Sequence, residues 1–183
     1  TLSNLSGLDP AEILDAKTAG KSLFDYGTEK TGIDSNLQVA SDSHAVLYTE
    51  VDVLIPAALD NVITVNNVAE IQAKAIFELA NNPTSIEAEK ILTERGVDVI
   101  PDVLVNAGGV VVSYFEWVQN RQQWYWDEVT VKERLEKIMF NAFQEIYKQK
   151  DSRFSYRTVA YKIGVGRILE AMRLRGQLKT EVE

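Results

Sequence analysis

Residues 51–56 read Val-Asp-Val-Leu-Ile-Pro, a short apolar run that a proline stops. Two similar runs follow along the chain, Ala75–Leu79 and Val97–Ile100, and prolines at positions 83 and 101 lie just beyond them. Short runs that are nearly all apolar are typical of strands covered on both faces of a sheet. The three runs therefore predict three neighbouring strands.

Helical patterns lie in the intervals between these runs. Residues 66–74 carry apolar side chains at helical spacing. Residues 84–95 open with a capping box formed by Thr84 and Glu87, have Ile86 among the inward-facing residues, and stop at Gly96. Helices that alternate with strands over short connections indicate βαβ units, so we predict an α/β fold with a parallel sheet.

The two ends of the chain differ from this middle part. Asp9 and Pro10 predict a helix start, because Asp caps helices and Pro fits the first helical position, and Leu14 is expected to face inward. The polar stretch 21–43 predicts a loop with at most one short strand. After Gly108 and Gly109 the spacing is helical to the end, which predicts a helical tail.

Composition and charge exclude several classes of protein. The 183 residues include no cysteine and one histidine, so a disulfide framework, a thiol nucleophile and a metal site are not expected. The net charge of -8 argues against a nucleic-acid partner. No apolar run reaches the roughly 18–20 residues of a membrane helix. We expect a cytoplasmic chain without a membrane partner.

The ends of the predicted strands are the candidate ligand site, because open parallel sheets bind ligands at their carboxyl ends. Ala57 and Ala58 follow the first run, Asn81 follows the second, and Asn106 with Gly109 follows the third. A carboxamide offers a donor and an acceptor together, which complements another amide such as nicotinamide. The alternative is that these Asn and Gly residues only serve the loops.

Two further features favour structural interpretations. The stretch from Gly164 to Gly166 is the nearest match to a phosphate-binding turn, but it lacks a third glycine and lies in a helical pattern. We predict that its glycines allow close helix packing. The aromatic cluster at Trp117 and residues 124–126 indicates either core or an interface, and we favour an interface.

Four blocks of sequence resemble a known family. Residues 52–64 (DVLIPAALDNVIT), 78–84 (ELANNPT) and 101–110 (PDVLVNAGGV) are similar to the coenzyme domain of the glutamate/leucine/phenylalanine/valine dehydrogenases. Residues 113–120 (SYFEWVQN) resemble its glutamate dehydrogenase branch. The similarity runs from about Gly7 to Gly176, in the correct order. It implies an incomplete Rossmann-like parallel sheet with flanking helices, followed by a helical C-terminal tail.

The resemblance also implies roles for individual residues. Asn81 and Asn106 would lie beside the nicotinamide and the substrate, and Ala57 and Ala58 would line the nicotinamide pocket. Ser113 would help to bind the side-chain carboxylate of glutamate. The implied reaction is oxidative deamination of glutamate to 2-oxoglutarate, with hydride passing to NAD or NADP.

Other parts of the family pattern have no match in this chain. These are the substrate domain with its catalytic lysines and acid/base aspartate, and the Gly-rich first βα unit. We therefore expect a chain truncated at its N-terminal side, with a partial dinucleotide-binding domain over residues 1–126 and a tail over 127–183 that packs on it. No catalytic residue is expected, and the missing turn weighs against cofactor binding by this chain alone.

Two kinds of partner follow from this comparison: a second copy of the chain in a homo-oligomer, or the missing half of a dehydrogenase. The chain would then be inactive alone. The alternative is a non-catalytic remnant that acts as a protein-interaction module.

Overall fold

The computed structural model describes residues 1–151 and 153–178. Within these ranges the chain forms two compact units, one of residues 1–51 with 70–73 and one of residues 52–69 with those from 74 onward. The last five residues of the predicted tail, 179–183, lie outside the described residues.

The first unit is a two-stranded antiparallel ribbon with two helices. Gly27 allows one helix to lie close to the ribbon, because a Cβ there would be 2.3 Å from Leu2 Cδ2 and 2.6 Å from Val39 Cγ2. The elements are β1 (Leu2–Asn4), α1 (Pro10–Thr18), α2 (Leu23–Thr31) and β2 (Leu37–Val39), followed by a 3-10 turn over Ala45–Tyr48.

Two predictions for this unit were wrong. The stretch 21–43, predicted as a loop, contains helix α2. Ser22 caps this helix by accepting a hydrogen bond from Asp25 N at 3.1 Å. The polar composition of α2 obscured its helical character. In α1, Asp9 is the predicted cap and accepts from Ala11 N at 2.8 Å. Leu14, however, is 63% exposed, and no residue of α1 is buried.

The second unit is built on a parallel sheet, as predicted. The order is β3-β4-β5, with Leu54 opposite Ile76 and Ile76 opposite Val99. Ile76 and Val99 are buried, whereas Val53 on the edge strand is 46% exposed. The elements are β3 (Val53–Leu54), β4 (Ala75–Phe77), α3 (Ile86–Glu94), β5 (Asp98–Ile100), α4 (Asp102–Val105), α5 (Ala107–Gln122), α6 (Glu128–Gln149) and α7 (Tyr156–Leu174).

The predicted helix over residues 66–74 was wrong. Only a 3-10 turn over Val68–Glu70 forms there. The side chain of Asn67 accepts from Thr64 N at 2.8 Å and donates to Val62 O at 2.8 Å. Asn side chains that bond nearby backbone compete with the hydrogen bonds of a helix, which explains the turn.

The start of α3 also differs from the prediction. Ser85, one residue beyond Thr84, is the N-cap and accepts from Ala88 N at 3.2 Å. Leu92 is buried as predicted, whereas Ile86, which was expected to face inward, is 73% exposed. The helix itself was predicted correctly.

Helices α6 and α7 pack against the sheet, which confirms a helical tail over the described residues.

Neither Gly164 nor Gly166 serves close helix packing, because a Cβ at either position would meet no atom within 4 Å. That prediction was wrong, since both residues lie on an open face of α7. The division of domains at residue 126 stays a prediction. The apolar core between tail and sheet consists of Ile100, Leu104, Ile146, Tyr156 and Val159.

One arginine in the first turn of α7 lies among three carboxylates. Arg157 donates through Nε to Glu89 Oε2 at 2.5 Å, through Nη1 to Asp102 Oδ1 at 2.8 Å, and through Nη2 to Glu78 Oε2. Glu78 is fully buried, and the side chains of Asp102 and Arg157 are each 13% exposed. We call these four residues the Arg157 cluster. It joins four elements of the second unit: β4 with its end, α3, α4 and α7.

The cluster shifts the pKa values of two carboxyl groups in opposite directions. Burial raises the pKa of Glu78, although the charge of Arg157 and the N–H of Asp102 act against it. Burial also acts to raise the pKa of Asp102, but N–H donors from Asn82 and Val103 together with Arg157 outweigh it and lower that pKa. The two groups should therefore respond oppositely to pH.

We predict opposite pH dependence for two neutral variants, Glu78→Gln and Asp102→Asn. The pKa of Glu78 is raised from 4.5 in the folded state, so its contribution to stability is present at low pH and is lost as the pH rises through the folded pKa. The pKa of Asp102 is lowered from 3.8, so its contribution is present at neutral pH and is lost as the pH falls through the folded pKa.

Urea unfolding at a series of pH values measures both effects. All three tryptophans lie in the second unit, so their fluorescence reports its unfolding. The free energy of unfolding of the unmodified chain should decline relative to Glu78→Gln as the pH rises, and relative to Asp102→Asn as the pH falls. Differences that follow pH with the same sign would contradict the assignment.

Candidate functional site

A cleft of about 670 Å³ opens at the carboxyl ends of the parallel strands. It lies at the edge of the sheet that the sequence indicated. Of the five predicted site residues, Ala58, Asn81, Asn106 and Ser113 line it. Ala57 is exposed and is not among the lining residues. We call this space the strand-end cleft.

The two carboxamides that the sequence singled out touch each other in the cleft. Asn106 Nδ2 donates to Asn81 Oδ1 at 2.7 Å and to Leu79 O at 3.2 Å. Asn106 lies between α4 and α5, whereas Asn81 lies in the loop after β4. The contact therefore joins the ends of two neighbouring strand–helix units. The two hydrogen bonds fix the orientation of the Asn106 side-chain amide, with its Nδ2 toward Asn81.

The backbone below the carboxamides is held by neighbouring strand ends. Leu79 N and Ala80 N both donate to Pro56 O, at 3.1 Å and 2.9 Å. Asn82 has a φ of 50°, in the left-handed region that Asn tolerates better than most residues. Its N–H donates to Asp102 Oδ2 at 2.8 Å, and its carbonyl accepts from Asn61 N at 3.0 Å. The loop of residues 79–82 is thus fixed on both sides.

Helix α5 forms the opposite wall of the cleft through its first two turns. Gly109 and Ser113 both face the cleft, one turn apart. A Cβ at Gly109 would meet no atom within 4 Å, so the missing side chain leaves open space for a ligand rather than room for packing. Ser113 is exposed, which leaves its hydroxyl available from the cleft.

Four lining residues were not assigned a role from the sequence. Asp60 is the titratable side chain among those that line the cleft in the described part of the chain, and its carboxylate accepts from Asn61 Nδ2 at 3.1 Å. No lysine or histidine lines the cleft there. Asp60 lies in the segment that follows the first strand run, and that position was the signal that would have found it. The four are Asp60, Leu79, Ala80 and Val110.

Other kinds of site were sought over the same residues. Residues 1–151 and 153–178 contain no group of three acidic or imidazole side chains arranged to hold a metal ion. None of their helices has both the length and the apolar character needed to cross a membrane. His44 lies in the first unit and its Nδ1 is 3.3 Å from Ser43 Oγ, with both side chains exposed. Their exposure favours a solvated pair.

The parallel sheet, the flanking helices and a cleft at the strand ends define an α/β protein of the open-sheet class. Residues 1–176 match the family model described as glutamate/leucine/phenylalanine/valine dehydrogenase. The chain belongs to this family of oxidoreductases.

Individual relatives are glutamate dehydrogenases. The chain is 41% identical over 177 residues to the catabolic NAD-specific glutamate dehydrogenase RocG of Bacillus subtilis, which covers 96% of this chain and 39% of that protein. It is 43% identical over 177 residues to the NAD-specific glutamate dehydrogenase of Staphylococcus aureus, with 96% and 40% covered. The chain therefore spans about two fifths of the length of these relatives.

Two solved structures support the same fold. The hetero-hexameric glutamate dehydrogenase of Thermus thermophilus matches with a TM-score of 0.81 and 28% identity, over 96% of this chain and 39% of that one. The glutamate dehydrogenase of Peptoniphilus asaccharolyticus matches with a TM-score of 0.64 and 43% identity, over 68% and 32%. The predicted α/β fold and family are confirmed by these comparisons.

We predict that Asn106→Ala lowers the free energy of unfolding of the second unit by about 1 kcal/mol, because two hydrogen bonds are lost at a partly exposed position. The matched control is Asn120→Ala on the exposed face of α5, where the side chain accepts only from Tyr125 Oη at 3.2 Å. Its effect should stay within about 0.5 kcal/mol. Urea unfolding followed by tryptophan fluorescence measures both. Equal losses in the two variants would mean that the Asn81–Asn106 contact adds nothing.

Proposed function

We propose that the second unit forms the nicotinamide-binding side of the coenzyme domain of a glutamate dehydrogenase-type oxidoreductase. The substrate pair would be glutamate and 2-oxoglutarate, and the cofactor NAD or NADP. The observation that carries the proposal is the pair of carboxamides, Asn81 and Asn106, that meets in a cleft at the ends of parallel strands. Membership of the family supports it.

The cleft fits a nicotinamide group in size and in donor set. A cavity of about 670 Å³ exceeds the needs of one aromatic ring with its carboxamide. Asn81 and Asn106 would hold that carboxamide, Ala58 would border the ring, and Ser113 would bind the side-chain carboxylate of glutamate. When bound, the dinucleotide would supply the hydride acceptor. The residues of this chain would bind and orient the two reactants.

Among the described residues, the same cleft holds only one side chain that could move a proton, Asp60. Deamination needs a general acid and base near the α-amino group, with a pKa close to the working pH. Asp60 is the titratable side chain that lines the cleft in the described residues, and it already accepts a hydrogen bond from Asn61. We infer that the acid/base groups come from outside residues 1–178 and that the isolated chain is inactive.

The relatives favour particular versions of this proposal. Two of them are named as NAD-specific, which favours NAD over NADP, and one solved relative is a hetero-hexamer, which favours an oligomeric assembly. The partner of this chain would be a second copy or the remainder of a dehydrogenase. A cytoplasmic location stays a prediction from the sequence.

A second candidate function is a non-catalytic protein-interaction module. The observation that favours it is the exposure of large aromatic side chains near the end of α5, where Trp124 is 72%, Tyr125 71% and Trp117 54% exposed. Aromatic residues with this exposure are typical of interface anchors. Binding of nicotinamide cofactors distinguishes the two candidates.

We predict no glutamate-dependent reduction of NAD or NADP by the purified 183-residue chain, because no lysine or histidine lines the cleft in the described residues and the one carboxylate there, Asp60, already accepts a hydrogen bond from Asn61. Absorbance at the wavelength of the reduced nicotinamide follows the reaction, and an intact glutamate dehydrogenase serves as the positive control. Robust turnover by the chain alone would refute the assignment of acid/base chemistry to missing residues.

We predict that NADH binds the chain weakly, with a dissociation constant on the order of 1 mM, because only the nicotinamide end has contacts. NMR titration should shift the side-chain amides of Asn81 and Asn106. Gly109→Leu should abolish these shifts by filling the cleft. Gly164→Leu is the matched control, because a Cβ there also meets no atom within 4 Å and the residue lies on α7.

The titration also decides between the two candidate functions. If the NADH-induced shifts of the Asn81 and Asn106 amides are retained in Gly109→Leu, NADH binds at another position and the cleft is not the site. Absence of shifts in the unmodified chain, together with a mass that rises with concentration, would favour the interaction module.

A further inference from the structure

Arg157 on the C-terminal helix holds the two backbone segments that carry the cleft carboxamides. Glu78 ends the β4 segment, and Asn81 follows it in the next loop. Asp102 begins α4, and Asn106 ends it. Arg157 donates to both Glu78 and Asp102, and Asp102 N donates to Glu78 Oε2 at 3.0 Å. The two segments are therefore clamped together close to the residues that face the cleft.

The second oxygen of Asp102 extends this clamp to the loop itself. Asp102 Oδ2 accepts from Asn82 N at 2.8 Å, while Asp102 Oδ1 accepts from Arg157 Nη1 at 2.8 Å. Asn82 is the neighbour of Asn81 and has a left-handed backbone with φ of 50°. A single carboxylate thus links the guanidinium of α7 to the loop that presents Asn81.

Charge explains why the clamp would fail without Arg157. The cluster contains three carboxylates and one guanidinium, and Glu78 is fully buried. A buried carboxylate that loses its cation must find new partners or take up a proton. Where Glu78 stays ionised, it would repel Asp102, and the segments on which the two residues lie would separate.

We propose that Arg157 is a positioning residue for the strand-end cleft, which sets the separation of Asn81 and Asn106 and so couples the position of α7 to ligand binding. The use of NADH as the ligand in the test below rests on the proposed function. The hydrogen bonds of the Arg157 cluster do not depend on it. Arg157 lines no part of the cleft, so its effect must pass through Glu78 and Asp102.

The alternative is that Arg157 only stabilises the second unit. Val159 offers the matched control, because it lies on the same helix, is 2% exposed and packs in the apolar core rather than in the cluster. Val159→Ala removes stability from α7 and leaves the ion pairs in place. Arg157→Met removes the guanidinium and keeps most of the apolar stem.

The first measurement is made without ligand, by NMR on the 183-residue chain. In the unmodified chain and in Val159→Ala, we expect an NOE between the side chains of Asn81 and Asn106 and a protected Asn82 amide. In Arg157→Met the NOE should be lost, and the Asn82 amide should exchange about tenfold faster than in Val159→Ala. A retained NOE and equal protection would overturn the proposal.

The second measurement is the NADH titration of the same variants. Arg157→Met should weaken binding about five- to tenfold, and Val159→Ala less than about twofold. Equal affinities in all variants would also overturn the proposal. If the unmodified chain shows no binding, the proposed function fails, and the ligand-free measurement still decides the role of Arg157.

A third variant covers the case in which Arg157→Met does not fold. Asp102→Ala leaves Arg157 paired with Glu78 and Glu89 but removes the link to Asn82 N. It should lose the NOE and the protection of Asn82 as Arg157→Met does. Retention of both in Asp102→Ala would refute the proposed route from α7 to the cleft.

Discussion

The second unit depends on one guanidinium that pairs with three inward-facing carboxylates. Glu78 lies at the end of the central strand, where an unpaired charge would be costly, and Arg157 reaches it from the last helix. The same guanidinium binds Glu89 on α3 and Asp102 on α4. The sheet, helices α3 and α4 and the tail are therefore held by one shared cation as well as by the apolar core. Apolar contacts are non-directional, so the hydrogen bonds of this cation fix the position of these elements relative to one another.

The cleft illustrates how a ligand site can be well formed and chemically incomplete. Its walls come from strand ends and from the start of α5, and its polar side chains in the described residues are two amides, a hydroxyl and the carboxylate of Asp60, which Asn61 already engages. Amides bind and orient, but they are not ionisable near neutral pH and do not act as general acids or bases. An enzyme that divides its chemistry in this way binds its cofactor on one set of residues and performs proton transfer with another. The relatives are about two and a half times longer than this chain, and their additional residues are where the proposed function expects the proton-transferring groups.

The sequence predicted the sheet, and four of the five residues that it singled out line the strand-end cleft, for a physical reason. Central strands buried on two faces need continuous apolar runs, and ligand sites follow them at the strand ends. Helix α2 was missed because its polar residues dominate a short segment, and Asn67 replaced a predicted helix with a turn through side-chain hydrogen bonds. The Arg157 cluster was missed because ion pairs between distant residues leave no periodic pattern. The one local signal was Glu78, a charge inside an apolar run.

The Arg157 cluster also has a consequence for the order in which the protein can fold as it is made. Glu78 and Arg157 are 79 residues apart, and Asp102 and Arg157 are 55 apart. Because synthesis proceeds from the N-terminus, all three carboxylates leave the ribosome before Arg157, the cation that they share. The central strand can pair with its neighbours early, but its charged end stays hydrated until α7 arrives. Closure of the Arg157 cluster is thus a late event in synthesis, and a nascent chain paused before residue 157 would lack the cation that its three carboxylates share.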